Sequence, residues 1–217
     1  MRQKIHLIWV FAYLFISANF SAKCQEDPFT GSDKMVTRSY SSSNFDKISI
    51  LDLDGVTEIE VGKPFSVETE IKDKYSPILE VKEMNGELTI VFKYTKDNNK
   101  YINNPATKVK ISCPSLVSLY KGGNSNIRIF VPNQSSFVVT NEGNGSANLR
   151  GEVEQLSLKN EGNGSIDAQN LVANTVSVQS FGTGDVIVYA KDRLDAFRSG
   201  NGKIVQKAEF VPKKRNP

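Results

Sequence analysis

The hexapeptide Asn-Glu-Gly-Asn-Gly-Ser occurs at residues 141–146 and returns at residues 160–165. That recurrence constrains the fold more than any other feature of the chain. Alignment on Gly123, Gly143, Gly162, Gly182 and Gly200 gives successive spacings of 20, 19, 20 and 18 residues. Six and four residues before each glycine stand Val117/Leu119, Phe137/Val139, Leu156/Leu158, Val176/Val178 and Leu194/Ala196. Four and six residues after it stand Ile127/Ile129, Ala147/Leu149, Ile166/Ala168, Val186/Val188 and Ile204/Gln206. Nineteen of these twenty positions are apolar, and Gln206 is the exception. Each unit therefore reads as a half-buried strand, a glycine-rich corner and a second half-buried strand. One unit cannot bury its apolar face alone, so successive units must stack. A period near twenty residues suits one coil of a parallel β-solenoid. An antiparallel meander with long hairpins is the competing arrangement, whereas propeller blades of about forty residues fit badly.

The corner glycines are Gly123, then Gly143 and Gly145, Gly162 and Gly164, Gly182 and Gly184, and Gly200 and Gly202. They are expected to supply positive φ at a sharp bend. Between or beside them stand Asn124, Asn144, Asn163, Thr183 and Asn201, which stacking would align into a polar column with groups about 5 Å apart. Two uses of that column are open. Its amides can hydrogen-bond to one another and satisfy corner backbone groups, or they can bind a repeating ligand such as a glycan.

The rest of the chain agrees with an all-β reading. "FDKISILDLDGVTEIEVG" alternates apolar and polar residues around Asp54-Gly55, as strand–turn–strand patterns do, and "PFSVETEI" reads as a third strand. "ILEVKEMNGELTIVFKY" reads as a hairpin turning at Asn85-Gly86, where both central residues can take positive φ. Residues 1–22 have a basic start, an uncharged run from Ile5 to Phe20 and small residues at Ser21 and Ala22, the order of a secretory signal peptide. Residues 23–43 read as a flexible linker, residues 44–207 as the β domain and residues 208–217 as a basic tail.

Loss of the leader removes His6 and Trp9, the only residues of their kinds, and leaves 25 of the 27 basic residues against 24 acidic ones. So balanced a charge gives no electrostatic case for nucleic acid. Without histidine, Ser-His-Asp and Cys-His catalysis are excluded from the mature chain, and zinc loses its commonest nitrogen ligand. Carboxylate chemistry remains, with Asp52, Asp54, Glu58, Glu142 and Glu161 as candidates. Glu142 and Glu161 would stack about 5 Å apart, but the equivalent positions in the next units are Phe181 and Ser199, and solvated carboxylates are the simpler reading. "FGTGDV" has one acid, Asp185, too few for a hard-cation site. Cys113 alternates with Val109 and Ile111 and reads as a buried thiol. Cys24 is a candidate for lipid attachment, the only route to a membrane that the sequence offers, or for pairing with Cys113.

At these residues the chain resembles the family of secreted bacterial domains known as putative auto-transporter adhesin, head GIN domain. The resemblance runs from Phe45 to Gln206. It rests on "NFDKISILDLDGVTEIEVGKPFSVETE", "NGELTIVF", "VKISCPSLVSLYKGGNSNI" and the glycine repeats. It implies a short right-handed parallel β-helix with coils of about 18–20 residues, preceded by additional N-terminal strands and hairpins, in the cell envelope of Bacteroidetes. It implies no catalytic residues. The expectation is an exported, non-catalytic module for binding or adhesion in the periplasm, on the outer membrane surface or outside the cell. Its partner would be a glycan or an envelope protein, with no cofactor and no metal. The alternatives are a carbohydrate-active β-helix enzyme using paired carboxylates and a structural envelope component that self-assembles.

Overall fold

The computed structural model describes residues 29, 31–93, 102 and 105–207. The expected leader, Cys24 and the basic tail lie outside the described residues. Thirteen strands follow in chain order: β1 (Met35–Tyr40), β2 (Lys47–Leu51), β3 (Gly55–Val61), β4 (Ser66–Lys72), β5 (Leu79–Met84), β6 (Glu87–Phe92), β7 (Thr107–Cys113), β8 (Ser118–Gly122), β9 (Asn126–Asn141), β10 (Ala147–Asn160), β11 (Ile166–Ser180), β12 (Val186–Arg198) and β13 (Ile204–Gln206). A single 3-10 turn, Asp73–Ile78, is the only helical element among the described residues. The fold is all-β.

The glycine units lie side by side in parallel, one repeat out of phase. Ala147 pairs with Ile127 and with Ile166, and Asn160 pairs with Asn141 and with Ser180. Val186 pairs in turn with Ile166 and with Ile204. The antiparallel meander is thereby excluded for this half of the chain. The expectation of a separate helix preceded by independent hairpins also needs correction. All thirteen strands belong to one sheet, curled into a nearly closed barrel.

The reason lies in β2 and β3. They do not pair with each other across Asp54-Gly55 as a hairpin would. β2 runs parallel between β6 and β8, and β3 runs parallel between β7 and β9. The segment 47–61 therefore lies against β8–β9 as one more unit, with its own corner at 52–54 and without the Gly-x-Gly signature. β6 and β7 lie beyond it. Antiparallel strands then close that end, β5 on β6 and β4 on β7, with β1 on β4. β1 corrects the linker, because Val36 of the supposedly flexible stretch pairs with Ile71. Asn85-Gly86 does turn the β5–β6 hairpin, with φ of 55° and 78°.

Alternation sets the core. Ile127, Ile129, Phe137, Val139, Leu156, Leu158, Val176 and Val178 all point inward and are buried. Burial of each such side chain stabilises by about 1.5–3 kcal/mol relative to exposure. The sequence pattern fails at its two ends. Val117 is exposed and Leu116 takes the inward place, while at the other end Ala196 and Gln206 are exposed. Cys113 is free and buried, and burial pushes its thiol up to about 11. Outward faces are polar and cross-paired. Glu68, Lys110, Glu58 and Arg128 stand opposite one another across β4, β7, β3 and β9, an alternation of charge that favours this strand order.

Candidate functional surface

The corners are built by exclusion of side chains. A Cβ on Gly143 would lie 1.9 Å from the Gly123 carbonyl oxygen. On Gly162 it would lie 2.1 Å from Gly143 O, and on Gly182 1.9 Å from Gly162 O. The second glycines are equally confined: Gly145 against Ser125 O at 2.1 Å, Gly164 against Gly145 O at 2.0 Å, Gly184 against Gly164 O at 2.1 Å. Gly200 and Gly202 continue both rows. The physical reason differs from the expected one. Of the corner glycines only Gly123 has positive φ, at 125°; the others are glycine because each corner backbone sits directly on the last.

Two rows of amides flank that glycine wall. On the outside, Asn144 Nδ2 donates to Asn124 Oδ1 (2.9 Å), Asn163 Nδ2 to Asn144 Oδ1 (2.8 Å) and Thr183 Oγ1 to Asn163 Oδ1 (2.8 Å). The column predicted from Asn124, Asn144, Asn163 and Thr183 therefore exists and is exposed, and its members are bonded to one another. Asn201 is exposed at the next corner. On the inside runs a second row that the sequence reading missed. Lys121 Nζ donates to Asn141 Oδ1 (3.0 Å), and Asn141 Nδ2 donates to Asn160 Oδ1 (2.7 Å) and Gly164 O (2.9 Å). Asn160 Nδ2 donates to Gly164 O and Gly184 O. Lys121, Asn141 and Asn160 are wholly buried. Burial lowers the Lys121 ammonium to about 8. The first Asn of each repeated hexapeptide was the available clue to this row.

The carboxylates are exposed, and the register sets Glu142 beside Glu161 on adjacent units. Glu142 accepts a hydrogen bond from Tyr120 Oη at 2.6 Å, and that bond, followed by burial and the charge of Glu142, pushes the phenol up to about 12. Glu161 pairs with Lys159 at 2.8 Å and Glu58 with Arg128 at 3.2 Å. Asp52 and Asp54 are exposed at the β2–β3 corner. None of the five sits in a buried cleft of the kind that raises a carboxyl for acid catalysis. Asp185 Oδ1 is taken up by the Lys203 backbone N–H at 2.7 Å, and no three metal-ligating side chains cluster among the described residues.

The outer face of the second strand halves is different. A shallow groove of about 320 Å³ crosses β9 to β12. Register aligns Ser136, Gln155, Thr175 and Arg193 in one row of its lining, and Val138, Ser157, Ser177 and Asp195 in the next. Small side chains make the floor, and the Arg193–Asp195 ion pair at 2.6 Å closes one end. The side chains of Gln155, Ser157, Thr175 and Ser177 make no hydrogen bond within the described residues. A second groove, of about 310 Å³, is lined by Glu58, Glu60, Lys63, Ser66, Lys110 and Ser112, and there Glu60 pairs with Lys63 and Glu58 with Arg128.

Comparison with known proteins gives the following. A family model described as putative auto-transporter adhesin, head GIN domain, matches residues 44–209. A crystal structure of a putative adhesin from Bacteroides fragilis is similar over 81% of this chain and 98% of its own, at 22% identity and a TM-score of 0.62. A putative lipid binding protein from Parabacteroides distasonis covers 82% of this chain and 98% of its own, at 17% identity and a TM-score of 0.49. A putative adhesin from the same organism covers the same shares, at 14% identity and a TM-score of 0.44. No curated protein matches. The first of these structures shows the fold.

Proposed function

The chain belongs to the family of the putative auto-transporter adhesin, head GIN domain. On that premise we propose that it is an exported, non-catalytic surface module that binds a polymeric ligand, a glycan, along the groove of its outer face. Three observations support the reading. The family and the fold are those of proteins named as adhesins. The candidate carboxylates are exposed. The stacked units, each one coil of a β-helix in this reading, set outward polar groups such as Ser157 and Ser177 side by side at the strand spacing of about 4.8 Å, close to the length of one sugar residue.

The observation that carries the assignment is the contrast in hydrogen bonding. The Asn124–Asn144–Asn163–Thr183 column bonds its members to one another, while Gln155, Ser157, Thr175 and Ser177 make no side-chain hydrogen bond among the described residues. A sugar hydroxyl therefore finds unspent partners in the groove. The corner column then serves as scaffold.

A glycan array probed with the exported protein, with and without calcium, tests this directly. Saturable binding should be lost in Ser157→Trp and Ser177→Trp, which fill the groove, and retained in Asn144→Ala and Asn163→Ala. The reverse pattern would move the ligand to the corner column. Silence on the array would remove glycans as the partner class, and turnover of any bound polysaccharide would overturn the non-catalytic reading.

A further inference from the structure

The two ends of the sheet are finished differently. At the N-terminal end antiparallel β5, β4 and β1 cover the parallel units. At the other end β13 covers only Val186–Val188 of β12. Just beyond it the Gln206 side chain stands in for a strand, donating from Nε2 to Ala190 O at 2.8 Å and accepting from Ala190 N–H. Among the described residues, β12 from Arg193 to Arg198 has a partner on one side only, β11. The inward positions report the same gap. Phe137, Leu156 and Val176 are fully buried, but Leu194, next in that row, is only half-buried. Val139, Leu158 and Val178 are buried, but Ala196 is exposed. Phe197 beside it is 56% exposed and stacks on Phe181. An open strand edge of this kind is a template for another strand.

We propose that this edge pairs antiparallel with the same edge of a second copy of the chain, giving a two-fold dimer. Charge selects the register. The outward residues of the edge are Lys191, Arg193, Asp195 and Phe197, and antiparallel pairing places side chains of like parity opposite one another. Centring the axis on Asp195 sets Asp195 against Asp195, and centring it on Arg193 sets Arg193 against Arg193. Centring it on Leu194 sets Arg193 of each copy against Asp195 of the other, twice over. That register also sets Leu194 against Leu194, covering the half-exposed core, and brings Lys191 opposite Phe197, a cation–π pairing. The Arg193–Asp195 pair formed within one strand in the single chain is exchanged for two across the axis. Self-complementarity of one patch is what a two-fold interface requires. The groove that ends at Arg193 and Asp195 would then meet its symmetry mate at the axis, although the pairing does not depend on the groove binding anything.

Sedimentation equilibrium of the full chain tests the proposal through charge reversal. The wild type is expected to be a concentration-dependent dimer. Arg193→Asp or Asp195→Arg alone creates two like-charge cross-strand pairs and should weaken association about tenfold or more. The double variant Arg193→Asp/Asp195→Arg recreates both pairs and should restore association to about the wild-type value. Both residues are solvent-exposed outward positions, so circular dichroism should stay native in all three. A monomeric wild type at all accessible concentrations overturns the proposal, as does a dimer indifferent to the single reversals. A monomer that dimerises only after deletion of residues 208–217 would also overturn it, by showing that the chain's own C-terminal segment holds the edge.

Discussion

The same corner carries two amide ladders, and they face opposite ways. Asn141 and Asn160 point inward with Lys121, wholly buried, while Asn144 and Asn163 point outward with Asn124 and Thr183, exposed. Their Asn–Asn bonds are alike, 2.7 Å inside and 2.8–2.9 Å outside. Bond length therefore says little about what each ladder contributes. An exposed amide that loses its neighbour turns to water, whereas a buried one is left unsatisfied and carries the full desolvation penalty of about 1–3 kcal/mol. The inner ladder holds successive corners in register, and the outer one decorates them.

The glycine wall between the ladders should give the largest effect. Gly162→Ala places a methyl group 2.1 Å from a backbone oxygen, which no rotamer change relieves, so a loss of about 3 kcal/mol or more is expected. Urea denaturation reads it, and an unchanged midpoint would mean that the corners stack less closely than described. Next comes the inner ladder. Asn141→Ala removes the nearer of the two acceptors of Lys121 Nζ and the donor to Asn160 and Gly164, with an expected loss of about 2–4 kcal/mol. A loss no greater than that of an outer-ladder variant would erase the distinction between the two ladders.

Lys121 sharpens the comparison through pH. It is wholly buried, and burial lowers its ammonium from 10.5 to about 8. Below pH 8 both folded and unfolded chains carry the proton, and the penalty of burying the charge is fully present. Above pH 8 the folded chain releases the proton first, so stability rises with pH until about 10.5. Cys113 and Tyr120 act in the opposite sense. Their folded values are raised to about 11 and 12 from 9.0 and 10.0, so their contributions fall as pH rises through those ranges. The window from pH 8 to 9 belongs to Lys121. Wild-type stability should climb there, and Lys121→Met, which leaves Asn141 Oδ1 the Gly143 N–H as a donor, should flatten the climb. The total difference across the range is at most about 3 kcal/mol. Equal slopes for the two proteins would show the ammonium to be better solvated than its burial indicates.

How much of this was legible in the sequence follows from which features repeat. The parallel units, their spacing and their inward residues were readable because the same apolar pattern recurs around each glycine. The unit formed by β2 and β3 was not, because it lacks the Gly-x-Gly mark and its alternation around Asp54-Gly55 fits a hairpin equally well. Only tertiary pairing with β8 and β9 decides between the two. Strand β1 escaped for a related reason: an edge strand buries too little to show a strong period. The inner ladder was hidden because asparagine in a glycine-rich stretch reads as turn chemistry, and Lys121 because a lysine is almost never wholly buried. The outer column was read correctly as a column because its members sit at identical repeat positions. What its amides bond to depends on side-chain rotation, which no spacing encodes.

The smallest effect is the most discriminating. Asn144 is the middle of the outer ladder, donating to Asn124 and accepting from Asn163, two side-chain bonds against the four that Asn141 makes. If hydrogen bonds stabilised in proportion to their number, Asn144→Ala would be about half as harmful as Asn141→Ala. Burial predicts otherwise. Water replaces what Asn144 loses, and the change should stay within about 0.5 kcal/mol. A double-mutant cycle of Asn144→Ala with Asn163→Ala should give a coupling energy of a few tenths of a kcal/mol, against about 1 kcal/mol or more for Asn141→Ala with Asn160→Ala. Strong outer coupling would mean that the exposed column is held rigid, and a rigid row of amides at strand spacing would then compete with the groove as the surface a glycan reads.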